Sequence, residues 1–476
     1  MPGSRGENRE VRERRSMRPI CICFSSFFCL LLVFSAARVD GQTCPTTAVS
    51  NQLICVIPQL YGPNGLVLPN KNHAAHFRSA SLQNFAPLNT AIGQALSTLP
   101  LASPGTSIVF KFNPSLGVVS SSQASLGPIL TERAETVGRH SFYLGGTYQF
   151  FTFSSLDGID LRNLPAEFKH VEFPVSPGPG KPPTIPQFEN DWIQTRNSID
   201  LKVHQVTLFG TYGLTNRIDV SVAIPILDVR MGVTSQAHIV RTDPCELNNT
   251  CTGKFAQSGN FHFFNASDPL GSTDAVFSNR RNAAGIGDVV FRVKGVILNR
   301  ERWGLAGGID VRTPTGNEEN FLGSGAVGVK PFFALSARGR VSPHVNIAYQ
   351  WNGQSILAGS VLTGRTATLP DQFFYYGGLD IGVTNRLTVV ADYLGQRVFG
   401  ASRLRQVPFT EAFGTVHNDI SDIQSFTSDY NAQSIAIGGK IRLTGKLLFA
   451  GNVLVRLDHG GLRANVVPLA GISYNF

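Results

Sequence analysis

From about residue 105 to the C-terminus, apolar and polar positions alternate in long runs. Val289, Phe291, Val293, Gly295 and Ile297 fall on one face, and Asp288, Val290, Arg292, Lys294 and Val296 on the other. Leu305, Gly307, Ile309 and Val311 alternate with Ala306, Gly308, Asp310 and Arg312. Ile435, Ile437, Gly439, Ile441 and Leu443 alternate with Ser434, Ala436, Gly438, Lys440 and Arg442. A period of two belongs to a β-strand. Runs of about ten residues are long for a soluble sheet and match a tilted strand crossing a bilayer. The pattern predicts strands over 106–119, 125–136, 141–153, 198–212, 217–231, 285–298, 303–313, 325–336, 342–352, 371–383, 387–398, 432–443, 447–457 and 463–476. That is about fourteen, with 12–16 left open, and the first pair is interrupted by Pro114.

The connections are of two kinds. Short, self-similar turns occur at Gly213-Leu-Thr-Asn-Arg217, Gly382-Val-Thr-Asn-Arg386, Arg442-Leu-Thr-Gly-Lys446 and Gly339-Arg-Val-Ser-Pro343. Their Asn, Gly and Ser residues suit tight hairpins. Long polar connections cover 154–197, 234–283, 314–323, 353–370 and 399–431. Short turns alternating with long loops are the layout of a transmembrane barrel, and an even strand number puts both barrel ends on the periplasmic side. The expected fold is therefore all-β: an antiparallel up-and-down transmembrane β-barrel over 105–476. The chain ends Gly471-Ile-Ser-Tyr-Asn-Phe476, with Ile472, Tyr474 and Phe476 on one face. An aromatic end to an alternating strand resembles the signature read by the barrel-assembly machinery, and it places an aromatic at the interface girdle.

Polarity gives the strands a direction. Lys or Arg turned into a soluble core costs several kcal/mol unless paired. In a membrane barrel the apolar face meets lipid and the polar face meets the lumen. The lumen-facing candidates are Asp288, Arg292, Lys294, Asp310, Arg312, Lys330, Asp380, Asp392, Lys440, Arg442 and Arg456. They could form a substrate path or a structural charge ladder.

Residues 42–104 differ from the strand-forming remainder of the chain. They are rich in Asn, Pro and Ser and lack alternation. Ala86 to Leu99 reads as a short amphipathic helix, with Leu88, Ile92, Leu96 and Leu99 at helical spacing. The segment is either a plug in the lumen or a periplasmic extension.

The first 41 residues have the order of a secretory signal. A basic stretch ends at Arg18, an apolar run covers Ile20–Phe34, and small residues Ser35-Ala36-Ala37 precede Gly41. Cleavage fits after Ala37 or Gly41, Met17 is an alternative start, and an uncleaved anchor helix is the competing reading. The chain beyond it has no run of 18 apolar residues. Export fits the cysteines. Cys21, Cys23 and Cys29 lie in the signal, leaving Cys44, Cys55, Cys245 and Cys251. An even number in an oxidising compartment points to disulfides, and proximity favours 44–55 and 245–251. Their spacings do not match structural zinc patterns, so no metal is expected there.

Composition narrows the class further. Charged residues make up 15% of the chain, with 48 Gly and 33 Phe, against roughly 25% charged in ordinary soluble domains. That excludes disorder and coiled coil. The net charge of +9 includes +3 from the first 18 residues, and the remaining Lys and Arg are scattered. No basic stripe forms, so no nucleic acid is expected.

Leu126-Gly-Pro-Ile-Leu-Thr-Glu-Arg-Ala-Glu-Thr-Val-Gly138 resembles an early hairpin of the outer-membrane proteins named for the MetA pathway of phenol degradation. Gly285-Ile-Gly-Asp-Val-Val-Phe-Arg-Val-Lys294, Asp310-Val-Arg-Thr-Pro-Thr-Gly316 and Gly323-Ser-Gly325 are similar to motifs of the same family. The resemblance covers about 125–476. It implies an outer-membrane barrel related in concept to long-chain fatty-acid and aromatic-hydrocarbon transporters, with no defined substrate.

Catalytic motifs for acyl transfer, zinc hydrolysis and phosphate binding are not found. His140 and Ser141 would point to opposite strand faces, and His204 and His344 read as ordinary strand residues. The chain is therefore expected not to be an enzyme and to need no cofactor. The expected location is the outer membrane of a Gram-negative-type bacterium. The expected role is passive uptake of small hydrophobic compounds, including aromatic ones, with lipid, the assembly machinery and a small ligand as partners. A water-filled general porin and a structural or adhesive barrel are the alternatives. Phe261-His-Phe-Phe264 is either an external landing site for such a ligand or loop packing.

Overall fold

A computed structural model describes residues 44–70, 74–97, 99–100, 110–113, 118–121, 125–170, 190–242, 262–269, 271–412 and 414–476. Residues 1–41, where the signal is predicted, and Cys245, Cys251 and Phe261 lie outside the described residues. In chain order the strands are β1 (Phe110–Asn113), β2 (Val118–Ser121), β3 (Phe142–Leu156), β4 (Ile159–Asp160), β5 (Leu164–Lys169), β6 (Trp192–Gly213) and β7 (Ile218–Val240). Next come β8 (Asp274–Ile286), β9 (Val290–Asn299), β10 (Trp303–Arg312), β11 (Gly328–Ala337), β12 (Val341–Asn352), β13 (Gln354–Ser360) and β14 (Arg365–Thr368). The last are β15 (Gln372–Gly382), β16 (Leu387–Thr410), β17 (Val416–Thr444), β18 (Leu447–Arg456), β19 (Leu462–Ala464) and β20 (Val466–Asn475). One α-helix, α1 (Arg78–Leu96), precedes them among the described residues.

Twelve of these strands close into an antiparallel barrel: β3, β6, β7, β9, β10, β11, β12, β15, β16, β17, β18 and β20. β3 closes the ring, pairing Tyr143 with Asn475 of β20 on one side and Phe142 with Tyr212 of β6 on the other. Closure satisfies the backbone groups that an open edge would leave bare.

The count is twelve, not fourteen, and the difference falls on the first predicted pair. Among the described residues of 106–119, 110–113 form the four-residue β1, which pairs with β2. The predicted strand 125–136 is irregular and buried on all sides. The barrel begins at Phe142.

The turns owe their closure to their own sequence. Thr215 Oγ1 accepts from the backbone N–H of Arg217 and Ile218, both at 3.0 Å. Thr384 Oγ1 does the same for Arg386 and Leu387, at 3.1 and 3.0 Å. A threonine side chain thus closes each Thr-Asn-Arg turn. At the opposite, mouth end, four strands overshoot the rest. β6, β7, β16 and β17 run for 22, 23, 24 and 29 residues, where about 9–11 cross a bilayer. Much of the predicted loops 154–197, 234–283 and 399–431 is therefore strand that continues past the barrel wall.

Burial divides the two faces. Phe291, Val293, Ile297, Phe333, Leu335, Ile437 and Ile441 are exposed, while the intervening Arg292, Lys294, Asp310 and Lys440 are buried. Exposed apolar side chains recur on β3, β9, β11, β12, β17, β18 and β20, so the belt runs round the barrel. Soluble monomers rarely carry an apolar patch above a few hundred Å², whereas this belt gathers exposed apolar side chains from seven strands.

Candidate functional site

Two stretches of chain enter the space the barrel encloses. The first is 125–137. Leu126 N–H donates to Thr388 Oγ1 at 2.8 Å, and Val137 N–H to Asp219 Oδ2 at 2.9 Å. Between them, Glu132 N–H donates to Asn346 Oδ1 at 2.8 Å, and Asn346 Nδ2 donates back to Glu132 O at 2.9 Å. Ala134 N–H donates to Ser336 Oγ at 3.0 Å. An irregular segment can be buried only if its backbone groups find partners. Here inward-facing side chains of β7, β11, β12 and β16 supply them.

Charges fasten the same segment. Glu132 pairs with Arg292 and, at 3.2 Å, with Lys294. Arg292 also holds Asp310 through two bonds, of 2.6 and 2.8 Å, and Lys330 reaches Asp310 at 3.1 Å. Arg133 pairs with Asp380, and Arg338 with Glu135 at 2.7 Å. His344 sits fully buried between Asp380 (3.3 Å) and Asp392 (2.9 Å), with Thr131 Oγ1 at 2.7 Å. It is a hub of the network rather than an ordinary strand residue. Gly378 makes room for it, since a Cβ there would collide with Asp392 Oδ1 and His344 Nε2.

The second stretch, 44–97, packs among the overshooting strands at the mouth end. Phe85, Leu88, Ile92 and Leu96 recur at three- and four-residue spacing on α1 and are buried. The helix starts eight residues before the predicted Ala86 and carries Pro87 inside it. Tyr61 packs its ring against Phe85, Phe168 and Phe277 and shares a 2.7 Å hydrogen bond with Ser235. Asn84 Nδ2 donates to Glu167 O at 2.9 Å, and Ser402 N–H to Gln94 Oε1 at 3.0 Å. A disulfide joins Cys44 to Cys55.

Between the helix end and the buried segment lies a chamber of about 200 Å³. Leu96 and Leu99 line it from the mouth side, and Leu130, Thr131 and Glu132 from the other. Phe321, Phe332, Phe374 and Tyr376 form walls. Arg292 lies over the Phe332 ring at 4.7 Å and Lys330 over Phe374 at 5.2 Å. The rings thus stack on fixed cations, and the lining is apolar with a few anchored polar groups, the usual make-up of a small-molecule site.

One wall is built by the three Gly-rich motifs. Asp288 accepts from Gly316 N–H at 3.0 Å, from Ser324 N–H at 2.7 Å and from the Ser324 hydroxyl. Arg312 lies 3.6 Å from the same carboxylate. Gly316 and Gly323 touch, and a Cβ on either would lie 2.7 Å from the other's Cα. The Gly-Asp, Pro-Thr-Gly and Gly-Ser-Gly motifs are therefore one knot around one carboxylate.

No family model matches the chain, and no curated protein matches it. Several solved structures are similar. The COG4313 outer membrane channel from Pseudomonas putida F1 is 12% identical, with a TM-score of 0.41, over 72% of this chain and 98% of that one. A Pseudomonas aeruginosa FadL homologue is 10% identical, with a TM-score of 0.28, over 78% and 94%. The Pseudomonas putida toluene transporter TodX is 11% identical, with a TM-score of 0.26, over 81% and 95%.

Of the predicted lumen residues, Asp288, Arg292, Lys294, Asp310, Arg312, Lys330, Asp380 and Asp392 enter the contacts above. Lys440 is buried and interacts electrostatically with Arg133, Asp380, Asp392 and Glu132. Arg456 lies apart, donating to Ser155 Oγ at 2.6 Å. Arg442 lies at the turn end, its N–H bonded to Arg386 O at 2.8 Å. Ile472, Tyr474 and Phe476 are exposed, and Phe476 packs on Tyr474 and Phe142. Phe263 is buried, and Phe264 packs on Phe277, so the described part of the Phe-rich stretch is loop packing. The partners Glu132, Arg133 and Glu135 are absent from the expected site because 125–136 reads as a wall strand. His76, His170 and His262 also converge, and no ligand spacing in the sequence announces them.

Proposed function

We propose that the chain is an outer-membrane channel that passes small hydrophobic compounds, including aromatic ones, without an energy source or cofactor. The apolar belt supports the membrane setting. The C-terminal face of Ile472, Tyr474 and Phe476 is what the assembly machinery would read, and the resemblance to the MetA-pathway family accords with this. The observation that carries the reading is the chamber between the two inserted stretches. Its volume of about 200 Å³ exceeds the roughly 150 Å³ of an apolar cavity that takes up benzene. Two inserted stretches weigh against a water-filled pore. A ligand would be captured at the mouth, held against Phe332 and Phe374, and released as one stretch shifts.

The test is uptake of a small aromatic hydrocarbon by a strain lacking the gene. The intact chain restores it. Leu130→Trp, which fills the chamber, returns uptake to the deletion level while the barrel still shows heat-modifiable gel migration. Undiminished uptake with Leu130→Trp would contradict the reading.

A further inference from the structure

His76, His170 and His262 come from three segments at the mouth end, where 44–97, β5 and residues 262–269 of the β7–β8 connection form a cap. His76 lies just before α1, His170 just after β5, and His262 in the connection between β7 and β8. All three are buried. One ring nitrogen of each lies within 4.8 Å of the other two. Ring centres are 4.2 Å apart for His76 and His170, 5.2 Å for His170 and His262, and 6.2 Å for His76 and His262. His76 Nδ1 and His170 Nε2 approach to 2.5 Å.

The surroundings fix the chemistry. Asp191 is buried, and its Oδ2 lies 2.8 Å from His262 Nδ1. Its other oxygen accepts from Thr242 N–H at 2.9 Å and Thr242 Oγ1 at 3.2 Å, so the carboxylate is held in place. A carboxylate on Nδ1 keeps the proton there and leaves Nε2 as a lone-pair donor. The same arrangement orients histidine on a metal ion. Phe77 packs edge-on against His170 (5.3 Å) and His262 (5.0 Å). Three buried imidazoles whose ring nitrogens converge make the donor set of a transition-metal ion.

We propose that His76, His170 and His262 bind one divalent transition-metal ion of the zinc class, with Asp191 positioning His262. Neutral imidazoles select Zn²⁺, Ni²⁺ or Cu²⁺ over Mg²⁺ and Ca²⁺. Metal–nitrogen bonds of about 2.0–2.1 Å require the rings to draw together around the ion by small side-chain shifts. Three protein ligands leave a fourth tetrahedral position for water. The ion would tie the N-terminal stretch to two barrel connections, so it is a structural clasp. Metal binding itself does not rest on the channel reading.

The experiment uses the full mature chain, folded in detergent and without a polyhistidine tag, titrated with Co²⁺ and then Zn²⁺. The expected result is an intense visible absorption band saturating at one Co²⁺ per chain and displaced by one equivalent of Zn²⁺. Asp191→Asn should weaken Zn²⁺ affinity by about 10–100-fold, and His170→Ala together with His262→Ala should abolish the band. Heat-modifiable migration checks that each variant is folded. If a variant does not fold, the wild-type titration alone decides. Absence of a saturable band in the folded wild type, or an unchanged band in the folded double variant, would overturn the proposal.

Discussion

Glu132 is the residue on which most of the inner network turns, since it faces Arg292 and Lys294 at once. Removing one partner of a buried ion pair costs about 3–5 kcal/mol. Glu132→Gln should fall at the low end, because Asp219 pairs in register with Lys294 and remains. The cost is expected as a lower denaturant midpoint for the 125–137 stretch, read by hydrogen exchange, with the wall intact. Glu167, in the cap beyond the barrel wall, gives a pH dependence. Burial pushes its carboxyl from 4.5 up to about 8, against the opposing pull of Arg196. Its stabilising contribution is full below the ordinary value and is lost as pH rises through about 8. Protease cleavage of the cap should therefore quicken between about pH 5 and about pH 8. Glu167→Gln should flatten that rise, and an equal rise in the variant would refute the assignment. At this scale the sequence shows which strand residues carry charge, but not what they pair with. Glu132 and Arg133 look like alternating strand residues because their partners lie 160 and 247 positions away.

The wall strands are legible because one face meets a uniform apolar environment and the other does not. Period two therefore survives in β9, β10 and β17. Alternation fails as a guide where both faces are buried, as in 125–137, and where both are partly wet, as in the upper part of β17. The first reads as strand and the second as loop. Pro87 likewise hides the first half of α1, whose apolar stripe starts before it. Two predictions belong to these elements. Thr215→Ala and Thr384→Ala each remove a side-chain acceptor that closes a turn, and each should cost about 1 kcal/mol in unfolding free energy. The Cys44–Cys55 disulfide closes a loop of separation 11, and Cys55→Ser should cost the cap about 2–3 kcal/mol. That loss is expected as faster proteolysis of 44–97 with barrel migration unchanged.

The described residues form a closed wall of twelve strands, with two stretches packed inside it and at its mouth end. The cap covers the mouth, the 125–137 stretch occupies the space below it, and the chamber lies between. Each stretch is expected to obstruct the path, so the two act in series. The most direct test is conductance of the refolded chain lacking residues 1–41 in a planar lipid bilayer. The account predicts a folded barrel with no steady large current. It predicts that deleting 42–104 leaves the current small, because 125–137 still fills the barrel, and that deleting 42–137 opens a large steady one. A large steady current from the intact chain would contradict the account.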